Sequence, residues 1–283
     1  MILVTGATGN IASVLIPALL KDGQQVRALI HDESKAGPLR DMGAEVVTAD
    51  MEKAETLDEP VDGVDKIYLI TTNGETASQQ ARNVIKAASG PGDAHIVRQS
   101  GYGTSESRMI AQHEDIEKEL RDSQLRYTIV KPTFFMQNLL MSAPTVASDG
   151  AMYWPLGDGR IGMVDVRDVA DVAFKVLTSE GHEGKTYVLT GPAAITLSEA
   201  AAELSNALNK EVTYIDVPSQ ALRDSMSEMG MPEWTVEAYV EIMQGFKEGY
   251  ADTTTPSVEQ LTGQPPRSFE TFARDFAGAF GAS

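Results

Sequence analysis

Apolar and polar positions alternate in blocks along the chain. Ile2–Val4 is a short continuous apolar run that enters a Gly-rich turn. Over residues 11–21, Val14, Leu15, Ala18 and Leu19 fall on one face at helical spacing, and Asp22-Gly23 ends the pattern. A short apolar run before a turn reads as a buried strand, and a spacing of three and four reads as an amphipathic helix. The same reading gives strands at residues 25–30, 45–49, 66–70, 95–99 and 127–130. Helices fall between them at 34–42, 75–88 and 106–121. Strands alternating with helices predict βαβ units, hence an α/β fold with a Rossmann-like parallel sheet flanked by helices.

Past Pro132 the pattern loosens. A Gly-rich stretch (Asp149-Gly150, then Gly157-Asp158-Gly159) leads to Val164-Asp165-Val166-Arg167-Asp168. A helix at 169–177, a strand at 187–189, a helix at 194–208 and a strand at 212–217 follow. The remainder reads as helical, ending in Phe269, Phe272, Phe276 and Phe280, a core-packing face. The expected division is residues 1–150 as the sheet domain and 151–283 as a smaller, mainly helical lobe on the substrate side. Residues 162–190 are expected to return to the sheet.

Composition narrows the chemistry. There is no cysteine, which excludes disulfides, thiolate catalysis and cysteine-ligated metals. The four histidines, His31, His95, His113 and His182, include no pair at metal-ligand spacing, and no metal is expected. The formal charge is −18, from 41 Asp+Glu against 23 Lys+Arg. Such a surface repels nucleic acid and anionic membrane, so a small-molecule substrate is the expected partner. The chain opens on a strand, not on a basic segment with an apolar run, and no stretch nears the ~20 apolar residues of a membrane span. A cytoplasmic monomer or homodimer is expected.

The sharpest motif is Thr5-Gly6-Ala7-Thr8-Gly9-Asn10-Ile11-Ala12, after the first strand and at the start of a helix. Gly6 permits a tight turn, Gly9 lets the backbone approach a pyrophosphate, and the helix N-terminus supplies N–H donors. Ala12 stands where the dinucleotide fingerprint has its third glycine. This context points to a dinucleotide. A ribose 2′-phosphate asks for cations after the second strand, whereas a bare 2′-hydroxyl prefers an acidic acceptor. The chain offers Arg27, His31, Lys35 and Arg40, with Asp32 directly after His31. NADP(H) is favoured by a small margin, with NAD(H) the alternative.

Further segments carry a resemblance. Asp50 follows the third strand, and Gly63-Val64-Asp65 precedes the fourth. His113-Glu114-Asp115-Ile116-Glu117 matches a His-x-x-x-Glu helix motif. Tyr127-Thr128-Ile129-Val130-Lys131-Pro132 matches a Tyr-Thr-Ile-x-Arg-Pro strand, with Lys131 in place of arginine. Phe134-Phe135-Met136-Gln137-Asn138, Asp165-Val166-Arg167-Asp168-Val169-Ala170 and Leu189-Thr190-Gly191-Pro192 complete the set. Together, over nearly the whole chain, these resemble the NmrA-like family of atypical short-chain dehydrogenases/reductases. The resemblance implies an NAD(P)H-dependent reductase acting on a flat, electron-poor acceptor such as a quinone, an azo compound or a cationic dye. A non-catalytic NAD(P)-binding redox sensor or regulator is the alternative it leaves open.

The resemblance also implies the contacts. The cofactor candidates are Gly6, Thr8, Gly9, Asn10, Ile11, His31, Lys35, Asp50, Met51, Thr71, Thr72, Ser100, Lys131 and Phe134. Tyr102, Phe135, Asn138 and Trp234 are substrate candidates. The superfamily's helical Tyr-x-x-x-Lys acid pair has one match here, Tyr127 to Lys131. That segment reads as a strand, where four residues span ~13 Å, so the two cannot act as the dyad. His113 and Tyr102 are the remaining catalytic candidates. His113 is expected either to orient the nicotinamide or shuttle a proton, or else to pair with Glu117 on the helix surface. Met226, Met229, Met231 and Trp234 read as core filling or as a soft apolar pocket. Of Asp165 and Asp168, one is expected to cap the helix that follows.

Overall fold

The computed structural model describes residues 1–90, 94–104 and 106–281. The first half runs β1 (Ile2–Val4), α1 (Ala12–Lys21), β2 (Val26–Ile30), α2 (Ala36–Asp41), β3 (Glu45–Thr48), α3 (Asp58–Val61), β4 (Lys66–Leu69), α4 (Ala77–Ala88), β5 (His95–Gln99), α5 (Arg108–Asp122) and β6 (Tyr127–Pro132). A 3-10 segment, Met136–Ser142, leads into α6 (Ala143–Asp149), β7 (Ala151–Trp154), α7 (Val166–Thr178), β8 (Lys185–Leu189), α8 (Leu197–Leu208) and β9 (Thr213–Asp216). Four helices close the chain: α9 (Ser219–Glu228), α10 (Glu233–Lys247), α11 (Ser257–Thr262) and α12 (Phe269–Asp275).

Seven strands form one sheet in the order β3-β2-β1-β4-β5-β6-β8. The pairings from β3 through β6 are parallel, with Leu3 opposite both Arg27 and Ile67. Strand order reverses beside β1, which is where open α/β sheets leave a crevice at the carboxyl ends of their strands. The first strand is buried on both faces, as a parallel strand between helices requires. Helix α1 buries Ala12, Leu15, Ile16 and Leu19, a stripe at positions i, i+3, i+4 and i+7. The expected face with Val14 and Ala18 is rotated by about one residue, and both of those side chains are only partly buried.

The chain divides into two compact units. Residues 1–101, 112–131 and 169–187 form the first, and 102–111, 132–168 and 188–283 the second. The boundary expected at residue 150 is therefore displaced to residue 131. The physical reason is the second unit's core, where Phe134, Met136, Leu139 and Val146 are buried together with Trp154, Phe246 and Phe272. The first unit packs Leu3, Leu29, Ile67, Ile96, Ile116 and Leu120 around the sheet. The second unit is less purely helical than expected. Its β7 and β9 pair in parallel, Tyr153 opposite Ile215. The flanking glycines made β7 read as loop. Among the methionines near Trp234, only Met226 is core, and Met229 is exposed.

Candidate active site

The segment from Thr5 to Ile11 leaves β1 and enters α1. Gly6 has a φ of +58°, a left-handed conformation that side chains resist, and a Cβ there would meet Ile70 at 3.3 Å. Gly9 N–H donates to the Gly6 carbonyl at 2.9 Å, closing the turn. Thr5, fully buried, ties this loop to the next: its hydroxyl donates to the Ile70 carbonyl and accepts from the Ile70 N–H, each at 2.7 Å. Helix α1 has no capping side chain and no acid in its first turn. Among the described residues, the N–H groups of Asn10, Ile11 and Ala12 find no acceptor. Unpaired donors at a helix start favour an anion.

Beside this loop lies a cleft of about 440 Å³, lined by Gly6, Thr8, Gly9, His31, Asp50, Met51, Thr71 and Thr72 among others. The volume suits a nucleotide-sized group. The loop's open donors and the cleft together fit a dinucleotide held by its pyrophosphate. Asn10, Ile11 and Lys35 do not line the cleft. Asn10 and Lys35 are exposed, and the Ile11 side chain is buried.

Acidic and amide groups brace the wall. Gln80 is 5% exposed, and its Oε1 accepts from the Thr72 N–H and hydroxyl at 3.0 and 3.2 Å. Its amide donates to Glu52 at 3.2 Å. The Glu52 N–H and the Lys53 ammonium hold the Asp50 carboxyl below its ordinary range. Of the cations expected near a 2′-phosphate, two are engaged elsewhere. Arg27 bonds Glu45 and the carbonyls of Pro60 and Asp62, and Arg40 pairs with Glu33. Asp32 accepts from the Ser34 N–H and hydroxyl.

A second cluster sits on β5, α5 and β6. Glu117, 3% exposed, accepts from the Ser100 hydroxyl at 2.6 Å and pairs with Lys131 at 2.8 Å and Arg121 at 3.0 Å. Burial pushes its carboxyl up, but the Lys131 and Ser100 contacts outweigh this and leave it below its usual range. Of the two readings of His113, the pair with Glu117 does not form among the described residues. His113 Nδ1 instead lies 3.2 Å from Arg98 Nη2. Arg98, fully buried, also donates to the Leu69 carbonyl and the Thr71 hydroxyl, each at 3.1 Å. Burial, then the charges of Arg98 and Lys131, push the His113 imidazolium down to about 3. A histidine so placed is held in its neutral form near pH 7.

The first unit thus gathers Gly6, Thr8, Gly9, His31, Asp50, Met51, Thr71 and Thr72 at the cleft, and Ser100, His113 and Lys131 in the ion cluster. Tyr102, Phe134, Phe135, Asn138 and Trp234 belong to the second unit. Phe134, a cofactor candidate, has its ring turned into the core of the second unit. It is 4% exposed and packs edge-on against Trp154 and Phe246, and its carbonyl accepts from Val164. Tyr102, Phe135, Asn138 and Trp234 are partly exposed. The Tyr127–Lys131 segment is strand β6, as expected. Asp165 accepts from the Arg167 N–H at the start of α7, the capping role, while Asp168 binds Arg267. Thr5, Gln80 and Arg98 were missed by sequence reasoning. Arg98 alone had a visible signal, a charge inside an apolar strand.

The chain is similar to known proteins over its whole length. An NAD(P)H azoreductase from Xenophilus azovorans is 35% identical over 100% of both chains. The structure of an NADPH-dependent quinone oxidoreductase from Escherichia coli complexed with NADPH superposes with a TM-score of 0.88, at 30% identity, covering 98% of this chain and 99% of that one. Citrobacter sp. triphenylmethane reductase complexed with NADP(H) superposes at 0.86, with 28% identity, covering 98% and 99%. Residues 1–273 match the NmrA-like family, and the chain belongs to that family.

Proposed function

We propose that this chain is an NAD(P)H-dependent reductase that delivers hydride to a flat, electron-poor acceptor of the quinone, azo or dye type. The glycine loop beside the 440 Å³ cleft carries the reading, because uncapped helix donors and a left-handed Gly6 suit a pyrophosphate. The names of the relatives support it: an azoreductase, a quinone oxidoreductase and a triphenylmethane reductase. When bound, the nicotinamide supplies the hydride, and the protein supplies orientation and electrostatics. The absence of a helical Tyr-Lys pair agrees with acceptors whose reduced form is stabilised by conjugation.

His31 and the pyrophosphate loop bind the cofactor, with Asp50 and Met51 at the adenosine end and Thr71 and Thr72 further along. His113 is a donor at the nicotinamide end. Tyr102, Phe135, Asn138 and Trp234 are the substrate contacts in this reading. NADP(H) is the preferred cofactor, by a small margin, because His31 is the one basic side chain lining the cleft. A reduced nicotinamide is a cytoplasmic reductant, so that location goes with the reading. Among the described residues no helix is long and apolar enough to cross a membrane. Oxidation of NADPH and NADH followed at 340 nm with a panel of quinones, azo compounds and cationic dyes tests the proposal; cofactor binding with no turnover on any acceptor would leave a regulatory protein instead.

A further inference from the structure

Arg98 is an expensive residue to place inside a strand. It is fully buried, its Nε has no partner, and among the described residues it forms no ion pair with a carboxylate. An unpaired buried cation costs stability, so packing alone gives no reason for it. Its guanidinium reaches three acceptors: the Leu69 carbonyl, the Thr71 hydroxyl and His113 Nδ1. Thr71 lines the cleft. The arginine therefore joins the cleft wall to the half-buried histidine.

A guanidinium has only N–H donors and no acceptor. A ring nitrogen facing it at hydrogen-bond distance must offer a lone pair. That places the imidazole proton on His113 Nε2, which has no hydrogen-bonding partner among the described residues. The neighbouring charges point the same way. Arg98 and Lys131 are both cationic, and Glu117 is the one carboxylate bonded in the cluster, to Lys131, Arg121 and Ser100. Protonating the ring would add a further positive charge beside them.

We propose that Arg98 is a positioning residue that fixes His113 as a neutral Nε2–H donor, and that the pair thereby selects acceptors bearing a lone pair on the atom that becomes negative. This deepens the reductase reading above and rests on His113 standing at the nicotinamide end. A quinone offers a carbonyl oxygen to such a donor. In the step, a hydride leaves the reduced nicotinamide and joins the quinone. The nicotinamide is oxidised, the quinone becomes the hydroquinone monoanion, and a solvent proton completes the hydroquinone. Negative charge thus develops where the Nε2–H and the nearby guanidinium favour it. A triarylmethane cation differs on both counts. Its reacting carbon has no lone pair, its positive charge is repelled by Arg98, and hydride addition leaves no anion to stabilise.

Two measurements decide this. Long-range 1H–15N spectra of the 15N-histidine-labelled full chain read the tautomer directly, with His113 assigned by its loss in His113→Gln. The expected result is an unprotonated Nδ1 and a protonated Nε2 in the wild type, giving way to a mixture in Arg98→Met. A protonated Nδ1 in the wild type overturns the proposal without any variant, so a misfolded Arg98→Met would not shelter it. The second measurement is the ratio of kcat/KM for 1,4-benzoquinone to that for a cationic triarylmethane dye. Arg98→Met should lower the ratio by about tenfold, the scale of one charge-assisted contact. An equal fall for both acceptors would show that Arg98 only holds the fold, and would also overturn it. If the wild type reduces neither acceptor, the reductase reading fails and selectivity falls with it; the spectra still decide whether Arg98 sets the tautomer.

Discussion

Lys131 Nζ lies 2.8 Å from Glu117 Oε1, and the two side chains are 16% and 4% exposed. The pair joins β6, the strand that holds the Tyr127-x-x-x-Lys131 match, to α5. Lys131 is therefore an anchor for the helix that carries His113. Its other neighbours on Glu117, Ser100 and Arg121, complete the carboxylate's bonding.

Removing the carboxylate charge should be costly. Glu117→Gln leaves Lys131 without its counter-ion, and breaking a buried pair from one side costs roughly 3–5 kcal/mol. Chemical denaturation should show a loss near the lower end, since the amide can still accept from Ser100. The folded Glu117 pKa is depressed, so this stabilisation is fully present above the unfolded carboxylate value and is lost as pH falls from there through the lower folded value. An unchanged denaturation midpoint would mean that the cluster is a solvated surface pair.

Two histidines should make the protein acid-sensitive at higher pH than carboxylates alone would. Burial pushes His95 down to about 4, and burial with the adjacent cations pushes His113 to about 3. In each case the unfolded chain binds the proton first. Stability is then complete above about pH 6.5 and declines as pH falls from there toward about 4, by up to ~1.4 kcal/mol per pH unit for each group. Urea midpoints measured from pH 7.5 to 4.5 check this. The decline should be shallower in His113→Gln, and a flat profile would contradict the burial of both rings.

The rate profile should look different from the stability profile. Because His113 stays neutral, quinone turnover should show no histidine ionisation between about pH 5 and 8 at this residue. His113→Ala should still lower kcat by about one to two orders of magnitude, at or below the ~10²-fold lower limit typical of a positioned acid–base group. A bell-shaped profile whose acid limb vanishes in His113→Ala would assign His113 the proton-shuttle role.

Gly9→Val should abolish dinucleotide binding and leave the fold in place. A Cβ at Gly9 meets the Gly6 carbonyl at 3.2 Å, so the turn must give by a few tenths of an ångström. The rest of the side chain then fills the space where phosphate oxygens would approach the backbone. Calorimetric titration with NADPH, alongside circular dichroism, separates the two effects. Wild-type affinity in a folded variant would move the cofactor elsewhere.

His31→Arg should widen the preference for NADPH. The wild type should favour NADPH over NADH by roughly tenfold or less, because one charge-assisted contact contributes about 1.5–3 kcal/mol and the acidic Asp32 directly follows His31. Arg27 and Arg40 are already engaged, with Glu45 and Glu33. The ratio of kcat/KM for the two cofactors is the measurement. A shift toward NADH would show that this loop does not face the ribose.

Much of the molecule was written locally. The strand at His95–Gln99, the glycine loop before α1 and the strand character of Tyr127–Lys131 follow from spacing within a few residues, where periodicity and turn chemistry act. So did the cleft-lining residues at Gly6, Gly9 and Asp50, because loops at the carboxyl ends of parallel strands converge whatever their side chains. The partners inside the cluster were not legible. His113 sits four residues from Glu117 on one helix, which suggested a pair, yet it bonds Arg98 from the neighbouring strand, while Glu117 turns to Lys131. Thr5 and Ile70 meet across 65 positions. Such choices depend on how strands register and which helix face packs down, and on the need to satisfy every buried charge at once. A helical spacing offers a contact; only the packed interior, where burial makes an unpaired charge costly, decides which contact is kept.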